Sequence, residues 1–110
     1  MAITNYQVGA TVSTGAYTST NSNAVTAMYI TNKTSTAGNV DIYVVPSASV
    51  SAFEASPNEN FKVYNNLLIP AEDTYVIDSE KLILDNGDKI YIAAPDSSGQ
   101  FNAIISTIGL

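Results

Sequence analysis

Residues 80–94, Glu-Lys-Leu-Ile-Leu-Asp-Asn-Gly-Asp-Lys-Ile-Tyr-Ile-Ala-Ala, decide how the chain is read. Two short apolar runs flank the acidic, glycine-marked tetrapeptide Asp85-Asn86-Gly87-Asp88. Asn-Gly between alternating runs is a strong hairpin signal, because both residues tolerate the positive φ of a tight turn. A calcium loop would supply 6–8 oxygen ligands and a denser acidic pattern. The tetrapeptide lacks the regular spacing and bidentate Glu of such a loop. It is expected to be a bend between strands.

The same period-two spacing extends along the chain. In Asn39–Val45, Val40, Ile42 and Val44 share one face, opposite Asp41, Tyr43 and Val45, and Pro46 closes the run. In Lys89–Ala94, Ile90, Ile92 and Ala94 oppose Lys89, Tyr91 and Ala93. In the last segment Phe101, Ala103 and Ile105 alternate with Asn102, Ile104 and Ser106, so both faces carry apolar groups, as in a strand covered on two sides. Alternation of this kind predicts strands near 3–8, 25–32, 39–45, 61–69, 74–77, 80–84, 88–94 and 101–108. A further weak strand is expected within Thr11–Thr20. About eight short strands predict an all-β fold, a single antiparallel β-sandwich of jelly-roll type over residues 1–110.

Two segments break the rhythm. Residues 47–60, "SASVSAFEASPNEN", are expected to form a long loop or flap with room for one helical turn, ended by Pro57. Residues 1–20 scatter apolar groups among small polar ones. They read as a first strand followed by a loose loop, or as an extended arm, carrying Tyr6, that adds a strand to a neighbour's sheet.

Composition narrows the function. The chain has 110 residues, 45% of them hydrophobic, which allows one core. Only 13% are charged, about half the usual share, and the formal net charge is −6. There is no His, no Cys and no Trp, and all four basic residues are lysines. The commonest general base, the thiolate ligand and the bidentate phosphate fork are thus missing. The acidic balance disfavours nucleic acid. No apolar run reaches the roughly 18–20 residues of a membrane helix, and the N-terminus lacks a secretion-signal pattern. The product is expected to remain in the cytoplasm where it is made, unless a larger particle carries it.

Glu72, Asp73, Asp78 and Glu80 could be imagined as paired carboxylates of a hydrolase, but they sit at turns and read as a solvated rim. No nucleophile-elbow pattern accompanies them. Asn32-Lys33-Thr34 fits a glycosylation triplet and reads better as the start of a loop. No catalytic, cofactor or metal site is expected. The seven tyrosines raise a different possibility. Tyr43 and Tyr91 fall opposite the main core stripes, where they serve either a two-sided core or a protein interface, since tyrosine offers broad apolar area with a polar tip. Sugar binding by exposed tyrosines is a weaker alternative.

The order of features over residues 25–108 resembles small β-sandwich virion proteins of tailed bacteriophages. The matching elements are Ile69-Pro70-Ala71 before a short strand, and Lys81, Leu82, Ile83 and Leu84 followed by Gly87-Asp88, Ile90 and Ile92. A final apolar strand follows. "VTAMYITNKTSTAGNVDIYVV" (25–45) supplies the strand, small-residue turn and next strand of the same pattern. Asp85 and Asn86 stand where that pattern has one residue. The resemblance implies a non-enzymatic structural protein of a virion; a homo-oligomer without a cofactor is expected. It would be a capsid cement or decoration subunit bound to the major capsid protein, or alternatively a neck, collar or baseplate component. The loop at 47–60, with Val50 and Phe53, would then be a contact specific to this particle. No residue-level site carries over from the resemblance; on their own chemistry, Tyr6, Tyr43, Phe53 and Tyr91 are the candidate interface residues.

Overall fold

A computed structural model describes residues 2–12, 15–78, 82–97 and 99–110. The strands within them are β1 (Ala2–Gln7), β2 (Tyr17–Thr18), β3 (Asn23–Asn32), β4 (Gly38–Val45), β5 (Lys62–Ile69), β6 (Thr74–Ile77), β7 (Leu82–Leu84), β8 (Lys89–Ala93) and β9 (Phe101–Gly109). One sheet has the order β1-β9-β3-β6, with β7 also paired to β3; the other runs β2-β8-β4-β5. Every strand pairing is antiparallel.

The pairings are nested. The first strand meets the last, the second meets the last but one, β3 meets β6 and β7, and β4 meets β5. This is a long antiparallel hairpin rolled into two facing sheets, the jelly roll that the strand rhythm predicts. Its tip is the connection between β4 and β5. There the predicted flap contains 3-10 turns at Ser47–Ser49 and Glu59–Phe61 around a short helix, α1 (Val50–Ala55).

Between the sheets lies the main core. Val40 and Ile42 of β4 and Ile90 and Ile92 of β8 face Met28 and Ile30 of β3 and Phe101, Ala103 and Ile105 of β9, and all are buried. Strict alternation on β3 would put Val25 and Met28 on opposite faces. A register shift between Val25 and Ala27 resets the phase, so that both point inward. Thr26, the extra residue, donates its hydroxyl to the Ser106 carbonyl at 3.1 Å. Tyr29 is thereby turned outward.

The hairpin expected at Asp85–Asp88 is not formed. Leu84 ends β7, which pairs with β3 in the first sheet, and Lys89 begins β8, which pairs with β2 and β4 in the second. The tetrapeptide is a bend, as expected, but it arches between sheets. Asp88 N–H donates to the Asp85 carbonyl at 3.1 Å, closing the turn. Gly87 takes φ 89°, while Asn86 is not among the residues with positive φ. A turn of that kind splays its arms, whereas the turns of two-residue hairpins need a left-handed first central residue. The carboxylates have local work: Asp88 accepts the N–H groups of Ser47 (2.8 Å) and Asp85 (2.9 Å).

The acidic corner is a turn too. Asp73 N–H reaches the Pro70 carbonyl at 3.3 Å with Glu72 at φ 56°. The Asp73 carboxylate accepts the Thr74 N–H at 2.8 Å. Glu80, and the start of the strand expected from residue 80, lie outside the described residues. Asn32 of the glycosylation triplet is buried. Its amide donates to the Thr36 and Ile69 carbonyls, and its oxygen accepts the Thr34 N–H and hydroxyl. It is an internal pin at the end of β3, as its place before a loop suggested.

Candidate functional site: a bare sheet face

The outer faces of the two sheets differ. On the β2-β8-β4-β5 sheet, Tyr43 and Val45 of β4 and Tyr91 and Ala93 of β8 point away from the main core, as their spacing predicts. There they meet α1. Phe53 inserts between the two tyrosines, with ring centroids 5.1 Å from Tyr43 and 4.6 Å from Tyr91, and Phe61 lies 6.0 Å away. Val12, Tyr43, Val45, Phe53, Tyr91 and Ala93 form a second buried cluster. Three of the four candidate interface residues, Tyr43, Phe53 and Tyr91, therefore pack on one another inside the molecule. Their side chains supply an internal cluster where the sequence reading offered them as an exposed contact. The two-sided core, the other reading weighed for the tyrosines, is what these positions build.

Charges gather around this covered side. The Tyr91 hydroxyl donates to Glu54 Oε2 at 2.6 Å, and Lys89 Nζ lies 3.1 Å from the same oxygen. Both bonds, the tyrosine's first, hold the Glu54 carboxyl below its ordinary range. Burial, then the Glu54 bond, raises the Tyr91 phenol well above the ordinary tyrosine value. Lys62 bonds Glu59 at 2.9 Å and lies 3.6 Å from the buried Asp41. Asp41 also accepts the Asn66 N–H at 2.8 Å. An open cleft of about 380 Å³ beside the flap is lined by Val12, Tyr43, Glu54, Pro57 and Pro95 among others. Its carboxylate is already held by Tyr91 and Lys89. Among the described residues no three of His, Cys, Asp and Glu come together as metal ligands would.

The outer face of the β1-β9-β3-β6/β7 sheet has no such cover among the described residues. Register places Asn5, Ile104, Tyr29 and Val76 in one row across four strands. The next row toward one end holds Ile3, Ser106 and Ala27, and beyond it lie Ile108, Ala24 and Ile83. Toward the other end the row is Gln7, Asn102, Thr31 and Thr74. None of these positions carries Asp, Glu or Lys. Ile3, Tyr29, Val76, Ile83, Ile104 and Ile108 are exposed, from 38% at Ile104 to 72% at Ile3. Scattered exposed aliphatics need no explanation, but a contiguous set on one flat face does.

The fourth candidate, Tyr6, sits on β1 opposite Ala103. It points inward and lies half-buried against the main core at the free edge of this sheet. Residues 1–20 are thus not a detached arm where they are described: β1 is the edge strand of its own sheet, and Tyr17–Thr18 pairs with β8.

The residues of the bare face were not selected from sequence. One signal for them existed. The apolar groups on both sides of residues 101–108 implied cover on two sides, and the structure supplies it on one side only.

The fold and face together define a jelly-roll sandwich in which, among the described residues, one sheet is covered and the other is not. Comparison with protein-family models, with curated proteins and with solved structures finds no match for the chain.

Proposed function

We propose that the chain is a non-enzymatic structural protein of a tailed-bacteriophage particle, a cement or decoration subunit that docks its bare sheet face onto the major capsid protein lattice. The observation that carries this reading is that face: four strands wide, built of apolar and uncharged polar side chains, and without Asp, Glu or Lys in a chain of net charge −6. Uncharged polar and apolar groups cost far less to desolvate than ions, so this is where the molecule meets another protein at least expense in hydration.

Strand spacing and rise make the face roughly 30 by 19 Å, about 600 Å². That is near the roughly 800 Å² per partner of a standard interface. Its aliphatic side chains contribute about 25 cal/mol per Å² of apolar surface removed from water. Contacts of this size are modest singly, and repetition on a shell converts them into avidity. A subunit that binds the assembled lattice better than its free components stabilises that lattice by the difference. Jelly rolls host capsid and lectin domains alike, so the fold is compatible with this role and does not select it. The resemblance at 25–108 favours the virion, and a neck, collar or baseplate partner for the same face is the alternative.

The test is co-sedimentation with capsid shells assembled from the major capsid protein of the same genome. Saturable binding that is lost with Tyr29→Lys or Ile104→Lys supports the proposal. No binding to shells, or binding indifferent to both changes, overturns it.

A further inference from the structure

The edge of the bare sheet carries its own message. Val8 N–H donates to the Phe101 carbonyl at 3.1 Å, continuing the β1–β9 register in which Tyr6 faces Ala103, Thr4 faces Ile105 and Ala2 faces Thr107. In an antiparallel ladder, residues alternate between directing both backbone groups to one neighbour and both to the other. The even-numbered residues of β1 therefore bond β9. Ile3, Asn5 and Gln7 turn their N–H and C=O groups outward, where no described strand meets them.

An unpaired edge is a template for another strand, and proteins usually guard it with charge, proline, bulges or brevity. The other edges here are guarded in that way. Strand β5 has Lys62, two register shifts against β4 and a left-handed Asn66 at φ 53°. The β6/β7 edge is split between strands of four and three residues, and β2 has only two. Strand β1 has six residues, Ala-Ile-Thr-Asn-Tyr-Gln, with no charge, proline, glycine or register shift.

We infer that β1 pairs antiparallel with β1 of a second copy about a two-fold axis, joining the two β1-edged sheets into one. The sequence is self-complementary in the register that centres on Asn5. Asn5 meets its symmetry mate and Ile3 meets Gln7 of the partner copy, each pair exchanging both N–H···O bonds through the outward-directed groups. On the inner side Thr4 meets the second Tyr6, adding cover to a tyrosine that one copy leaves half-buried. No like charges oppose one another, which matters for two chains of net charge −6. The joined sheet is eight strands wide counting β6 at each end, within the ordinary range. Its continuous uncharged face doubles to about 1,200 Å², past the roughly 800 Å² a standard partner offers. The pairing depends on the edge and not on what the face docks to.

Sedimentation velocity on the purified chain at micromolar concentration tests it. The expected species has twice the 11.6 kDa chain mass. Asn5→Pro removes an outward donor where proline is tolerated at an edge. It should weaken self-association by about tenfold or more and leave the melting temperature unchanged when both proteins are diluted to monomer. Thr4→Pro removes an N–H directed at β9 and should lower the melting temperature, which checks the parity. Amide exchange provides a readout without mutation: the Ile3, Asn5 and Gln7 amides should gain protection as concentration rises. A monomeric wild type, a dimer that survives Asn5→Pro, or exchange at those amides independent of concentration would overturn the pairing. Dissociation by Ile104→Lys would overturn it in favour of face-to-face packing. A monomeric wild type whose particle binding is lost with Asn5→Pro would overturn it in favour of a foreign strand, and would leave the virion role standing.

Discussion

The Tyr91 hydroxyl donates to the Glu54 carboxylate at 2.6 Å, fastening the short helix of the flap to a strand of the covered sheet. Both groups titrate away from their ordinary values, and the two signs bracket a pH window. Glu54 is shifted down, so its contribution is present above the ordinary carboxylate value and is lost as pH falls through the lower folded value. Tyr91 is shifted up, so above pH about 10 the unfolded phenol ionises while the folded one does not, and stability falls as pH rises. Stability is expected to be greatest between these limits. Spectroscopic titration should show Tyr91 ionising only as the fold is lost. Ionisation of all seven tyrosines in one step near pH 10 in a still-folded protein would contradict the burial of this bond.

Phe53 touches Tyr43, Tyr91 and Phe61 from the far side of the second cluster. Phe53→Ala should cost about 3–5 kcal/mol, the usual range for a buried phenylalanine. It should also expose residues 47–60 to proteolysis before the sandwich itself opens. Denaturant unfolding with limited digestion measures both. An unchanged midpoint with a protected flap would place the aromatic cluster elsewhere.

Gly87 combines φ 89° with a close neighbour: a Cβ there would stand 2.9 Å from Ser47 Cβ. Gly87→Val should therefore cost on the order of 1–3 kcal/mol. The cost should persist in a Ser47→Ala background, because the clash is with Cβ and not the hydroxyl. Asp88→Asn should destabilise more than Asp85→Asn, since the Asp88 carboxylate accepts two backbone N–H groups. Thermal melts of the four variants decide it. Full stability of Gly87→Val would remove the arch.

Ile104 and Ile105 are adjacent on β9 and point to opposite faces. Ile105 is fully buried and Ile104 is 38% exposed. Ile105→Ala should cost about 2–5 kcal/mol, whereas Ile104→Lys should change stability by less than about 0.5 kcal/mol. Equal costs at the two positions would mean that the face is not bare.

The strands were legible in the sequence because period-two alternation survives nearly everywhere, and Pro46 and Pro70 mark their ends. The flap was legible as an interruption at 47–60. Its effect was not, because nothing local tells that Phe53 folds back over Tyr43 and Tyr91. Those tyrosines sit opposite the main core stripes as expected, and long-range packing alone makes that second side an interior. The arch at Asp85–Asp88 was read as a hairpin because Asn-Gly signals a reversal without naming the partner strand, and Leu84 and Ile90 belong to different sheets. The bare face escaped for a related reason. The register shift at Thr26 sets the direction of Tyr29, and a one-residue bulge leaves no mark in an alternating sequence.

We propose that this molecule acts by laying its uncharged sheet against other protein. The most direct measurement is the affinity of capsid shells for the Tyr29→Lys/Ile104→Lys double variant, beside a Ser51→Lys control at an exposed position of α1, over the other sheet. The double variant should keep its melting temperature and lose shell binding by about tenfold or more, while the control binds as wild type does. Undiminished binding by the double variant would contradict it.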